Sequence, residues 1–165
     1  MLTKATRNDL IELDNIAERT IAFMKESKIP QWDYDYPRLI HFELDINKNA
    51  LYIYKEQGHI IGFGVILPEN DLPYKTIDGW LKKKSLVIHR MMTDPQHINK
   101  GVAQMIIDQA VEIGINEGYE SIKIDTHLDN YKMRQFLEKN NFIEIGYLEV
   151  INRVAYEKVL EDYNE

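Results

Sequence analysis

Hydrophobic residues recur with two different spacings along the chain, and each spacing predicts either a helix or a strand. Residues 2–6 alternate as a short strand. Over residues 9–27 the apolar side chains return every three or four positions, which predicts a helix that Asn8 or Asp9 caps. Pro37 suits the first turn of a second, shorter helix that ends near Asn47.

From Ala50 onward the spacing changes to the two-residue period of strands. The segments ALYIYKE and HIIGFGVIL flank Gln57-Gly58, which predicts an antiparallel hairpin. Gly62 and Gly64 interrupt the second of these strands. We therefore expect the strand to bend there, or another part of the backbone to approach it closely.

The second half of the chain alternates strands with helices. An apolar strand over residues 86–92 is stopped by Asp94 and Pro95, and helical spacing starts near Gly101. The remaining predicted elements are a strand at 119–126, a helix at 130–140 and strands at 142–148 and 150–159. No repeat or linker interrupts this order, so we expect residues 1–165 to form a single domain.

Composition narrows the classes of function. The absence of cysteine excludes disulfides and thiolate chemistry, and it fits a reducing compartment. No apolar run reaches the roughly 20 residues of a membrane span. Early charges interrupt any signal pattern at the start of the chain, so we expect a cytoplasmic protein with no membrane partner. The net charge of −7 argues against nucleic acid as a partner, and it mildly favours a cationic substrate or simply serves solubility.

The loop IPQWDYDYP is unusually rich in aromatic residues for a simple connection. Trp32, Tyr34 and Tyr36 can form the wall of a substrate pocket, because their rings combine apolar area with polar groups. The alternative is that the rings cap the core beneath a helix turn. The sequence leaves both readings open.

The segment QHINKGVAQ joins the strand at residues 86–92 to the following helix and has features of an anion site. Asn99 tolerates a positive φ, Lys100 supplies a cation, and Gly101 lets another molecule approach the backbone. The N–H groups at the start of a helix bind anions, and a pyrophosphate suits such a loop. Lys100 and Lys132 either contact phosphates or are simply solvated.

Two longer segments carry a family resemblance. MMTDPQHINKGVAQMI resembles the acetyl-CoA loop of the GNAT N-acetyltransferase superfamily, and HLDNYKMRQFLEKNNF resembles the strand–helix–strand piece that follows it. The order of predicted elements also agrees with that family. The resemblance implies a mixed α/β fold in one domain, with a largely antiparallel twisted sheet of six to seven strands, about four helices and two splayed central parallel strands. QW…YP, IHR, DTHLDN and R-x-AYEK are similar to a bacterial subgroup without an assigned substrate.

The resemblance also implies that acetyl-CoA is the cofactor, held mainly by backbone N–H groups. The residues it assigns to the cofactor are Met92, Thr93, Ile98, Asn99, Lys100, Gly101, Val102, Ala103, Gln104, Asn130 and Met133. Ile98 and Asn99 depart from the family pattern, as does Leu137, which stands where many members carry a proton-donating tyrosine. Asn141 replaces the usual glycine, and asparagine is the commonest substitute in a left-handed conformation.

Amine acetylation requires a neutral amine and a donor for the developing oxyanion. The resemblance places that donor at the Met92 N–H, with Thr93 pairing along the pantetheine arm. His89, or His127 with Asp125 two residues before it, can act as the base, although each histidine can equally be structural. Arg90 either orients a carboxylate on the acceptor or pairs with an acidic residue of the chain.

These observations predict an acyltransferase that moves an acetyl group to the primary amine of a small molecule in a ternary complex. Trp32, Tyr34, Tyr36 and Arg90 are the candidate acceptor residues, and no metal is expected. A protein acetyltransferase acting on an N-terminus or lysine is the second hypothesis. A CoA-binding sensor without activity is the third, because of Leu137. A homodimer stays open.

Overall fold

The computed structural model describes residues 1–161, and within that range the chain forms one seven-stranded sheet and four α-helices. The elements are β1 (Thr3–Lys4), α1 (Leu10–Glu26), α2 (Leu39–Asn47), β2 (Leu51–Glu56), β3 (His59–Pro68), β4 (Ser85–Thr93), α3 (Val102–Glu117), β5 (Ser121–His127), α4 (Tyr131–Lys139), β6 (Ile143–Leu148) and β7 (Arg153–Val159). The strand order is β1-β2-β3-β4-β5-β7-β6. Pairs β1–β2, β2–β3, β5–β7 and β6–β7 are antiparallel, whereas β4–β5 is parallel. The predicted mixed, largely antiparallel sheet is confirmed.

Three predicted boundaries were wrong. The strand predicted from Tyr119 begins at Ser121. Pro37 lies before α2 and not in its first turn, because the backbone at Arg38 is extended (φ −135°, ψ −177°) and the helix begins only after it. The last strand begins at Arg153 and not at residue 150, because residues 149–152 form a turn in which Asn152 has a φ of 54°.

The chain divides into two compact units. The first contains Met1–Ile66 and His89–Gln109, and the second contains Leu67–Ile88 and Ala110–Glu165. The strand β4 and the helix α3 therefore contribute residues to both units. A single domain over residues 1–165 stays a prediction.

The first unit packs α1 and α2 against the β2–β3 hairpin. Leu13, Ile16 and Ala17 are fully buried on one face of α1, as their helical spacing predicts. The rings of Phe42 on α2 and Phe63 on β3 meet edge to face, with centroids 5.2 Å apart. The start of α2 and the hairpin are thus fixed by the same small core.

The second unit is built on β5, β6 and β7, with the start of β4 beside β5. Ser85, Leu86 and Val87 pair in parallel with Ser121, Ile122 and Lys123. The long connection ahead of β4 is anchored by Tyr74, which is 2% exposed and packs with Val87, Leu148 and Ala155. The connection at residues 68–84 therefore contributes to the core.

Candidate functional site

The loop after β4 is fixed by a buried carboxylate. The side chain of Asp94 is 2% exposed and accepts two hydrogen bonds from Arg19 on α1, of 2.8 and 3.3 Å. It also accepts the N–H of Gln96 at 3.1 Å. Burial alone would raise the pKa of Asp94, but these donors outweigh it and hold the pKa below its ordinary value. The contacts of Asp94 therefore fix the direction in which the loop leaves β4, and Arg19 balances the charge of the Asp94 carboxylate.

Beyond Asp94 the backbone takes two left-handed steps, at Asn99 (φ 64°) and Gly101 (φ 76°). The N–H of Met105 donates to the Gly101 carbonyl at 3.1 Å. The N–H groups of the first turn of α3, ahead of Met105, have no acceptor four residues back within the helix. A Cβ built on Gly101 would meet no atom within 4 Å, so the space beside this backbone is open.

The side chains of the loop leave its backbone accessible. Ile98 is 52% exposed, and the ammonium of Lys100 is half-exposed and lies 3.5 Å from Glu56. Gln104 donates to Asp108 at 2.9 Å, farther along the same helix. N–H groups at the start of a helix with one half-exposed cation beside them suit a pyrophosphate, so the loop is compatible with the phosphates of CoA. This fit supports the sequence-based assignment of residues 98–104 without testing it.

Gly62 on β3 explains how the strand and the loop come together. A Cβ at Gly62 would lie 2.8 Å from the Met92 carbonyl oxygen and 2.7 Å from a Val102 methyl group. A Cβ at Gly64, two residues farther along β3, would lie 2.9 Å from Ile106, which is one helical turn beyond Val102 on α3. The predicted close approach of backbone is confirmed at Gly62, where the Met92 carbonyl approaches, whereas at Gly64 the approaching group is the Ile106 side chain.

Arg90 sits at a kink in β4 and has a φ of 47°. Its guanidinium donates to both oxygens of Asp45 on α2, at 2.8 and 2.5 Å, and to the Tyr36 hydroxyl at 2.9 Å. Burial alone would lower the pKa of Arg90, but Asp45 and Tyr36 raise it above its ordinary value. Of the two roles left open for Arg90, the structure shows the pairing with an acidic residue.

The aromatic loop does not cap the core with all of its rings. Tyr34 is 66% exposed, and its ring lies 5.1 Å from the guanidinium carbon of Arg38. Tyr36 is 36% exposed and packs edge to face on His41, with centroids 4.6 Å apart. Trp32 is half-buried. The exposed tyrosines are available to a ligand, as a pocket wall requires.

The candidate bases lie in different environments. His89, in the first unit, is half-buried on β4. His127, in the second unit, is 6% exposed, and its Nδ1 accepts the N–H of Asp129 at 3.1 Å. Its Nε2 lies 3.5 Å from the amide nitrogen of Asn152. The structure leaves the choice of base between them open.

Asp125 has partners that the sequence did not reveal. Its carboxylate accepts the Tyr74 hydroxyl at 2.6 Å and lies 3.5 Å from the Arg153 guanidinium. Burial, and then the negative charge of Asp125, raise the pKa of Tyr74 well above its ordinary value. Asp125 is therefore engaged in a buried network on β5 and β7, and its pairing with His127 stays a prediction.

The helix α4 begins at Tyr131, within one residue of its predicted start. Asn130 is 8% exposed and caps the helix by accepting the Met133 N–H at 3.3 Å. Leu137 is fully buried, and Asn141 has the left-handed φ of 66° expected of a glycine substitute. Met133 is half-buried, and Lys132 is exposed. The contacts of Asn130 and Met133 with a cofactor stay predictions.

A comparison with known families agrees with this fold. Residues 14–142 match the model of the Acetyltransferase (GNAT) family. The chain therefore belongs to the GNAT family, whose reaction is acyl-CoA-dependent acetyl transfer. No curated protein is significantly similar to it in sequence.

Three solved structures illustrate the similarity. One from Staphylococcus aureus Mu50, described provisionally as an acetyltransferase, is 28% identical, with a TM-score of 0.76 over 98% of this chain and 99% of that chain. A GNAT acetyltransferase from Streptococcus agalactiae 2603 is 22% identical, with a TM-score of 0.85 over 98% and 96% of the two chains. The PaiA N-acetyltransferase of Thermoplasma acidophilum, solved with coenzyme A, is 14% identical, with a TM-score of 0.75 over 96% and 98%. The last two show the fold alone.

Two further findings concern other ligands. Among residues 1–161, no group of three or more His, Asp or Glu side chains is arranged to hold a metal ion. No helix in the same part of the chain has the length and apolar character needed to cross a bilayer.

Proposed function

We propose that this protein transfers the acetyl group of acetyl-CoA to the primary amine of a small molecule, by direct attack while both substrates are bound. The observation that supports this most is the loop from Asn99 to the first turn of α3. Its left-handed residues, open space and N–H groups suit the phosphates of CoA. Acetyl-CoA, when bound, supplies an acetyl group activated as a thioester.

The residues of the chain then have separate tasks. The first-turn N–H groups of α3 hold a phosphate group. The ammonium of Lys100 leaves Glu56 and binds that phosphate instead. The Met92 N–H donates to the carbonyl oxygen of the acetyl group, where negative charge develops. Thr93 pairs with the pantetheine arm, and the exposed tyrosines of the aromatic loop contact the acceptor.

A base must first remove a proton from the acceptor ammonium, because only the neutral amine can attack the thioester, whereas the thiolate can leave without a general acid. A thiol with a pKa of about 8.5 leaves readily near neutral pH, so Leu137 slows the reaction without preventing it. His89 and His127 are the candidate bases. Variants His89→Ala and His127→Ala, compared by pH–rate profile, identify the base as the one whose loss removes the acidic limb. If neither variant changes that limb, both histidines are structural and water removes the proton.

The acceptor class is tested by measuring thiol release from acetyl-CoA with small amines, amino acids and peptides. Turnover with small primary amines supports the proposal, whereas turnover with peptides alone supports a protein acetyltransferase. A CoA-binding sensor is a second candidate, favoured by the buried Leu137 at the position of the usual proton donor. Saturable CoA binding without turnover on any acceptor supports the sensor.

A further inference from the structure

The kink of β4 at Arg90 is a strained conformation inside a strand. A φ of 47° is the left-handed region, in which a side chain with a Cβ is disfavoured. Strained residues persist only where the surrounding contacts determine them. The contacts of Arg90 are therefore expected to hold the kink in place.

The guanidinium of Arg90 is committed to groups of the chain itself. Its side chain is 14% exposed, that of Asp45 is 3% exposed, and the pair forms a fork of two hydrogen bonds. A third N–H reaches the Tyr36 hydroxyl at 2.9 Å. Because guanidinium groups only donate, the Tyr36 O–H proton points away from Arg90. Arg90 thus joins α2, the aromatic loop and β4.

The kink is close to the proposed reaction centre along the chain. Arg90 precedes Met92 by two residues, or about 6.6 Å at the rise of a strand. The direction of the Met92 N–H follows from the backbone angles just before it. On the other side, the carbonyl of Met92 is packed against Gly62 and leaves no room for a Cβ there. A relaxed φ at Arg90 would therefore turn the Met92 peptide or strain its packing.

We propose that Arg90 is a positioning residue: its fork with Asp45 holds β4 in the left-handed kink, so that the Met92 N–H keeps the direction the reaction needs. Its third hydrogen bond joins Tyr36 of the aromatic loop to the same kink. This inference rests on the proposed function. It replaces a role for Arg90 as a direct ligand of the acceptor.

Comparison of Arg90→Ala with Arg90→Gly separates the two roles. Alanine removes the fork and keeps the backbone strain, whereas glycine removes the fork but adopts a positive φ freely. We expect Arg90→Ala to lower kcat by about 100-fold, the usual cost of a small misplacement, and Arg90→Gly to recover most of that loss. Equal losses in the two variants would show that the side chain acts directly and would overturn the proposal, as would an unchanged Arg90→Ala.

Asn49 provides a matched control, because it has a φ of 55° in the same unit and is exposed. Asn49→Ala and Asn49→Gly should differ in stability but not in kcat. Asp45→Asn removes the charge of the fork while keeping its shape, and it should also lower kcat. An Asp45→Asn variant as active as wild type would contradict the proposed role of the Arg90–Asp45 pair, even if Arg90→Ala fails to fold.

A binding measurement keeps the inference testable apart from turnover. In the proposed function the Met92 N–H contacts the acetyl carbonyl oxygen of acetyl-CoA, and free CoA has no acetyl group. By calorimetry, Arg90→Ala should therefore bind acetyl-CoA more weakly than Arg90→Gly, while the two bind CoA equally. If wild type acetylates no amine, the proposed function fails. Equal acetyl-CoA affinities for the two variants would overturn the positioning role of Arg90, whatever the outcome for the proposed function.

Discussion

The Arg19 guanidinium holds the Asp94 carboxylate through two hydrogen bonds of 2.8 and 3.3 Å, joining α1 to the loop that leaves β4. The two residues are 75 positions apart in the chain, and the Asp94 side chain is 2% exposed. Arg19, at 39% exposure, is the outer member of the pair. Loss of Arg19 would leave a buried charge without its main partner.

Arg19→Met should destabilise the protein by about 1–3 kcal/mol, because a buried carboxylate then lacks its charged donor. The KM for acetyl-CoA should rise as the loop loses its anchor. Denaturant unfolding and steady-state kinetics measure the two effects. Arg7→Met is the matched control: Arg7 pairs with Glu43 at the surface, and its loss should cost less than about 1 kcal/mol. Equal effects in the two variants would contradict the special role of Arg19.

Acid should destabilise the protein by protonating two carboxylates. These are Asp94 and Asp14, and Asp14 accepts hydrogen bonds from Arg38. Both pKa values lie below the ordinary 3.8 in the folded protein. The unfolded chain therefore binds protons first. The stability contributed by these two carboxylates is fully present above about pH 5 and is lost as the pH falls through 3.8 and below. For one such group the slope approaches about 1.4 kcal/mol per pH unit. Asp94→Asn should reduce this slope between pH 4 and about pH 3; the same slope in variant and wild type would contradict the assignment.

Gly62→Ala should disrupt the packing of the loop on the strand. The new methyl group would meet the Met92 carbonyl oxygen at 2.8 Å, a backbone atom that can move only with β4. We expect a loss of about 1–3 kcal/mol in stability and weaker acetyl-CoA binding. At Gly58, in the hairpin turn, a Cβ meets no atom within 4 Å, so Gly58→Ala should cost only the strain of its positive φ and leave binding intact.

Gly101→Val should remove acetyl-CoA binding with a modest loss of stability. The Cβ has space, but the φ of 76° is unfavourable for valine, and its methyl groups would occupy the open side of the loop. Gly118, beyond the other end of α3, has a φ of 77° and provides the control. Gly118→Val should lose similar stability and keep its affinity. Unchanged affinity of Gly101→Val in calorimetry would exclude the loop as the phosphate site.

The sequence predicted the features that depend on neighbouring residues. The hairpin turn at Gln57-Gly58 and the left-handed Asn99 and Asn141 are local, so residue type alone indicates them. The pattern also indicated the close approach at Gly62.

The charged partners could not be predicted in the same way. Asp45 pairs with a residue 45 positions away, and Tyr74 with one 51 positions away. In the sequence, Asp45 reads only as a polar position of α2, and Tyr74 as part of a polar connection. A single sequence shows which side chains can pair but not which distant segments the fold brings together.

The most direct test of the proposed activity is the release of the CoA thiol from acetyl-CoA by the wild-type protein, with and without a small primary amine. We expect release that depends on the amine, matches the N-acetylated product one to one by mass spectrometry, and is lost in Gly101→Val. Release that never depends on an amine, although CoA binds saturably, would contradict the assignment as an N-acetyltransferase.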